Sequence, residues 1–167
     1  VGITGVSMGA IQSASVCGIE PRIHKAFLML GGCDVRQIVM TAHETRKLRA
    51  FIEKLEPEAR ERVFACMDRL DPIRAQDGLK RLAQADRLRM TCAELDQVVP
   101  PACSRRLAEA AGFADRVTWL TGMDHYSAMA GFPKIMEEVV AFFGKDVPAT
   151  WQPPQTNGEK SASELLG

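Results

Sequence analysis

The sequence predicts an α/β protein: a parallel sheet carrying helices on both faces. Three observations lead there. Short apolar, β-prone runs alternate along the chain with segments of helical period. One of those runs, KAFLML at 25–30, is continuously apolar before Gly31-Gly32, as in a strand buried on both faces. And 167 residues, 46% hydrophobic and 25% charged, suffice for one domain with a sizeable core. Strands that alternate with helices pair in parallel through right-handed crossovers.

Each element follows from local pattern. Residues 1–5 read as a strand and 8–17 as a helix of small residues able to pack closely on a sheet. The second strand is 25–30. From 34 to 85 the pattern is helical: Leu48, Phe51, Ile52 and Leu55 share one face, and Val63, Phe64, Met67 and Leu70 repeat the spacing. Pro57 suits the first turn of the second of these helices, and Asp71-Pro72 breaks the pattern and starts another. LRMTCA at 88–93 is the third strand, ended by Glu94-Leu95-Asp96 and Pro100-Pro101, and a helix at about 104–111 closes at Gly112. VTWL at 117–120 is the fourth strand. A loop holding His125 and Tyr126 then leads to a helix over 133–143, with Ile135, Met136, Val139, Val140 and Phe143 on one face. The expected organisation is one domain over 1–147, with a helical, cap-like insertion at about 34–85, and a flexible tail over 148–167 rich in Pro, Gln, Asn, Gly and Ser, on which Trp151 could dock.

Composition excludes several partner classes. Lys plus Arg and Asp plus Glu both total 21, so no net field favours nucleic acid or an anionic membrane, and a small, nearly neutral ligand fits better. No apolar segment is long enough to span a bilayer. The five cysteines, Cys17, Cys33, Cys66, Cys92 and Cys103, show neither a C-x-x-C pair nor a histidine at metal-ligand spacing, and read as buried thiols rather than a disulfide framework or zinc site. No metal or organic cofactor is implied.

In sheets of this kind ligands bind beyond the carboxyl ends of the strands. Ser7, Gly31-Gly32, Asp96 and His125 each follow one of the four strands and so belong on that edge. Gly5-Val6-Ser7-Met8-Gly9 matches a nucleophile elbow, in which a serine between strand and helix is lifted above the sheet. Side chains in place of Gly5 or Gly9 are expected to collide across so tight a turn, and the serine is expected in a strained backbone conformation. The Met8 N–H, in the first turn of the helix, would face a developing oxyanion. The alternative for Ser7 is an ordinary helix N-cap.

A serine hydroxyl needs a base, and the base an orienting carboxylate. Of the three histidines, His24 precedes the second strand and lies at the wrong edge, His43 falls in the helical insertion, and His125 follows the fourth strand. Asp96, just past the third strand, is the candidate acid. Glu94 competes with it, Asp124 is too near His125 in sequence to orient its ring, and Asp96 could instead be a turn residue capping the Pro100-Pro101 segment.

On GVSMG, ELDQVVPPACSRRLAEAAG and GMDHYSAM, the chain resembles the α/β-hydrolase superfamily, in particular its dienelactone-hydrolase-like and prolyl-oligopeptidase-like serine esterases, over residues 1 to about 143. Asp124 stands where that family often has glycine. The resemblance implies a sheet of about eight strands, of which these are the last four, a cap inserted where 37–85 lie, and a second oxyanion donor from upstream sequence. On it the chain is expected to be the second half of such a fold, requiring an N-terminal half or another chain to complete the sheet. The expected function is cleavage of a small carboxylic ester, or an amide or thioester, by Ser7, His125 and Asp96, with Phe51, Ile52, Phe64 and Met67 either shaping an acyl pocket or packing among themselves. Two rivals remain. One is a hydrolase-like binding or scaffold module. The other is a dinucleotide-binding oxidoreductase, suggested by TGVSMGAI, although Ile11 occupies the third glycine position and there is no G-x-G-x-x-G.

Overall fold

The computed structural model describes residues 1–145. Four strands, β1 (Gly2–Val6), β2 (Lys25–Met29), β3 (Leu88–Ala93) and β4 (Val117–Leu120), form one sheet in sequence order with every pair parallel. The helices are α1 (Met8–Ile19), α2 (Val35–Thr41), α3 (Arg46–Glu53), α4 (Pro57–Leu70), α5 (Gln76–Gln84), α6 (Pro101–Ala110), α7 (His125–Ala130) and α8 (Phe132–Gly144).

Alternation along β2 explains the layering. Ala26 and Leu28 point to one face, where they meet Ala10, Ala14 and Cys17 of α1, Leu79 and Leu82 of α5 and Leu107 of α6. Phe27 and Met29 point to the other, where they meet Ile135, Val139 and Phe142 of α8. Every residue of β2 is therefore buried, which is why that run carries no alternation of polarity. The small residues of α1 let it lie close to the sheet.

The insertion between β2 and β3 holds four helices, and α2, α3 and α4 share a core of their own, in which Val39, Ile52 and Phe64 are buried and Met67 packs beside them. Phe51 points outward and is 61% exposed. Ile52, Phe64 and Met67 thus pack within the insertion, and Phe51 does not. The buried Asp71 carboxylate joins two parts of the insertion: it accepts from the Val35 N–H at 2.6 Å and the Ile73 N–H at 2.9 Å.

Several boundaries differ from the sequence-based expectation. Helix α6 starts at Pro101 rather than about 104, because proline at the first helical position gives up an N–H that would have no intrahelical partner anyway. The loop after β4 becomes helical at His125, since Asp124 caps a short helix there. Four of the cysteines are buried, and burial pushes the Cys17 and Cys103 thiols up to about 11 and those of Cys33 and Cys92 up to about 12. Cys66 is exposed on α4, contrary to the buried reading. The expected tail, with Trp151, lies outside the described residues.

Candidate functional site

All four strands run the same way, so the residues that follow them meet at one edge of the sheet. Ser7 follows β1 with φ 53° and ψ −118°, a backbone conformation rarely adopted by a residue with a side chain. Its own N–H is held by the Met29 carbonyl at 2.8 Å, and its carbonyl accepts from Ala10 and Ile11 as the helix begins. The hydroxyl caps nothing in α1. An ordinary N-cap serine sits in extended backbone and bonds the helix through its side chain, and Ser7 does neither.

Gly5 makes this turn possible. A Cβ there would lie 2.3 Å from the Gly9 carbonyl oxygen and 2.8 Å from the Ala10 nitrogen, both rigid backbone atoms. The expected clash at Gly9 is absent: a Cβ there would meet nothing within 4 Å. The tight approach is made by the backbone of residue 9 against Gly5, so only the first glycine is needed for space. Met8 is the first residue of α1, so its N–H has no intrahelical acceptor and stands at the positive end of the helix dipole.

On the other side of the edge, Asp96 and His125 are both buried and face one another, with Asp96 Oδ2 2.7 Å from His125 Nδ1. Asp96 Oδ1 accepts from the N–H groups of Val98 and Val99, each at 2.8 Å. A carboxylate only accepts, so Nδ1 carries the proton of the imidazole and donates it, which leaves Nε2 as the basic nitrogen. The loop carrying His125 is fixed in turn by Asp124. That side chain accepts from Tyr126 N–H and Ser127 N–H, while Ser127 Oγ accepts from the Asp124 N–H. Asp124 thus shapes the loop and does not touch the imidazole's Nδ1.

Val6, directly before Ser7, and Ala128, three residues past His125, pack into one cluster with Leu30 and Ala93. The two halves of the edge are therefore neighbours. Among the described residues, no hydrogen bond joins Ser7 Oγ to His125.

A cavity of about 350 Å³ opens beside His125 between its loop and the insertion. Besides Thr41 and Gln97 it is lined by His43, Glu44, Arg49 and Tyr126, none of which the sequence pattern singled out as functional. His43 lies in the insertion, but α2 and α3 bring the segment between them back to this edge. Tyr126 O–H donates to Glu44 Oε1 at 2.5 Å, joining insertion to loop. That bond holds the Glu44 carboxyl below its usual range and the Tyr126 phenol above its own. A larger cavity, about 550 Å³, lies by Cys33, Asp71 and Arg106 and contains no member of the Ser7, Asp96, His125 set. His24 is exposed and precedes β2, at the opposite edge.

No protein-family model matches the chain, and neither does any curated protein. Solved structures do. An acylaminoacyl peptidase of Pyrococcus horikoshii superposes over 91% of this chain with TM-score 0.63 at 13% identity. A puromycin-hydrolyzing peptidase of Mycobacterium tuberculosis superposes over 74% with TM-score 0.56 at 19% identity. The fold is that of the α/β-hydrolases. A Pyrococcus furiosus esterase, TM-score 0.52 at 14% identity over 86% of the chain, shares it. Within this α/β-hydrolase fold the chain spans 25% of the first neighbour, 18% of the second and 52% of the third.

Proposed function

We propose that this chain carries the catalytic residues of a serine hydrolase acting on a carboxylic ester, or on an amide or thioester. The observation that supports it most is the buried Asp96–His125 hydrogen bond of 2.7 Å, on the strand edge that also bears a serine at φ 53°. Two unrelated devices, backbone strain and a buried hydrogen-bonded acid–imidazole pair, then serve one chemistry.

Ser7 Oγ attacks the carbonyl carbon as His125 Nε2 takes its proton. The oxyanion is met by the Met8 N–H, and Asp96 stabilises the imidazolium that forms. His125 returns the proton to the leaving alcohol, amine or thiol, and an acyl ester on Ser7 remains. Water, deprotonated by the same nitrogen, hydrolyses that ester. The polar lining of the cavity beside His125 favours a small substrate with a hydrogen-bonding group next to the scissile carbonyl. β1 pairs with β2 alone among the described strands, so its free edge accepts a further strand, from other sequence or another chain, that also brings a second oxyanion donor.

Reaction with a fluorophosphonate probe tests the assignment. Labelling should be lost in Ser7→Ala and strongly slowed in His125→Gln. Equal labelling of wild type and Ser7→Ala sinks it. A second reading, a hydrolase-like binding module, draws on the missing Ser7–His125 hydrogen bond. It predicts no labelling of Ser7, with or without an added partner strand.

A further inference from the structure

Tyr126 is the only tyrosine in the sequence, and it directly follows the candidate base. Its ring stands edge-on to the His125 imidazole, with centroids 5.7 Å apart and planes at 79°. Among the described residues this is the one ring contact the imidazole has. The phenol reaches the insertion, where it donates to Glu44 Oε1 at 2.5 Å. A side chain 59% exposed has water for a partner, so a bond to one particular carboxylate requires that carboxylate to be held in place.

Glu44 is so held. It lies in the turn between α2 and α3, where Thr45 Oγ1 donates to the Val39 carbonyl at 2.7 Å and Arg49 Nη1 to the Met40 carbonyl at 3.0 Å. Val39 is itself buried with Ile52 and Phe64. An unbroken path of contacts therefore runs from the core of the insertion through Glu44 and Tyr126 to the imidazole. Asp96 holds that ring by Nδ1, and Tyr126 adds a contact that limits its swing about the Cβ–Cγ bond.

We propose that Glu44 and Tyr126 are positioning residues for His125: through their hydrogen bond the insertion keeps the Tyr126 ring against the imidazole, and so keeps Nε2 where a hydroxyl can be deprotonated. Neither residue touches the reacting atoms. Their role in turnover rests on the serine-hydrolase reading, whereas their hold on the imidazole does not.

A lone tyrosine makes the bond directly readable. The bond to Glu44 holds the Tyr126 phenol above its usual range, and the nearby charges of Asp124 and Asp96 add to it. Followed by absorbance, the wild-type phenolate should appear at higher pH than that of Glu44→Gln, and coincident titration curves overturn the proposal. Tyr126→Phe keeps the ring and every charge and removes the bond. In it the His125 ring resonances should move at neutral pH while those of His24, at the opposite edge, stay; an unmoved His125 signal also overturns it. Fluorophosphonate labelling of Ser7 should slow about fivefold in Tyr126→Phe and in Glu44→Ala, and no further in the double variant, since each removes the same bond. Glu44→Gln, which keeps an acceptor oxygen, should recover part of the rate, and single effects that multiply in the double variant count against the proposal. Both side chains are exposed, so the variants should fold, which a thermal melt checks. A wild type that is not labelled at Ser7 defeats the hydrolase reading instead, and the phenol and imidazole readouts then decide this one.

Discussion

The two halves of the candidate site are held in opposite ways. At the β1–α1 elbow, steric exclusion does the positioning: Gly5 admits the backbone of residue 9, Ser7 takes a strained φ of 53°, and the hydroxyl is left without a helix-capping bond. At the ends of β3 and β4, hydrogen bonds do it: Asp96 accepts three, one of them from His125, and Asp124 knits the following loop. A nucleophile gains from a side chain that nothing else engages, whereas a base and its orienting acid gain from fixed partners. Strain can be relieved by a smaller residue. A hydrogen-bond network fails when one acceptor becomes a donor.

The largest effect is expected on the hydrogen-bonded side. In Asp96→Asn, the amide must turn its NH2 either toward the N–H groups of Val98 and Val99 or toward the proton on His125 Nδ1. The second choice reverses the imidazole's tautomer, placing the proton on Nε2, which then cannot act as the base. A fall of about 10⁴-fold in the acylation rate is expected, about 5 kcal/mol in barrier, with a much smaller change in melting temperature. Fluorophosphonate labelling kinetics beside a thermal melt separate the two. A fall of under about tenfold would mean that Asp96 does not orient the base.

At the elbow the decisive contrast is between two glycines. Gly5→Ala drives a methyl to 2.3 Å from a backbone oxygen, and relief requires the strand and helix to part. A loss of about 3 kcal/mol or more is expected. Gly9→Ala places its methyl in open space on a helix, where alanine is favoured over glycine by about 1 kcal/mol. Denaturant melts of the pair should move in opposite directions. Equal destabilisation by both would show that the glycines serve the turn symmetrically.

Ser7→Gly sharpens the same point with a smaller effect. Glycine reaches φ 53° without a Cβ penalty, and the strain released exceeds the added freedom of the unfolded chain. The variant should be more stable by about 1 kcal/mol, a rise of a few degrees in Tm, and unable to be labelled at residue 7. A lower Tm would mean that the serine side chain stabilises the turn.

Legibility in the sequence followed the same division. β3 and β4 could be read to the residue, because continuous β-prone runs bounded by turn residues leave little freedom, and the parallel order followed from the alternation of elements. Ser7, Asp96 and His125 could be placed on one edge, since that needs only strand ends and direction. The steric asymmetry of Gly5 and Gly9 was not legible: it depends on which backbone approaches which, and both read alike as small residues. Nor were His43, Glu44 and Arg49, which reach the cavity through the path of α2 and α3 rather than by spacing. The start of α7 is hidden in the sequence by the brevity of the helix, although aspartate three residues before a serine is a capping signal.

That capping role yields the smallest effect and a pH test of the hydrogen-bonded side. The Ser127 backbone N–H, the Ser127 hydroxyl and the Tyr126 N–H hold the Asp124 carboxyl below its usual range. The folded state thus prefers the carboxylate, so its contribution is present above the unfolded-state pKa and is lost as the pH falls through the lower, folded one. Asp124→Ala should melt slightly below wild type at neutral pH, and the gap should close on acidification below about pH 4. Asp124→Asn, which keeps an acceptor oxygen, should fall between them. Because the carboxylate is exposed, added salt should leave most of the neutral-pH gap in place if the bonds to backbone N–H are responsible, and shrink it if long-range charge is. A gap that stays constant from neutral to acid pH would separate Asp124 from the fixing of the His125 loop and leave Asp96 alone to orient the imidazole.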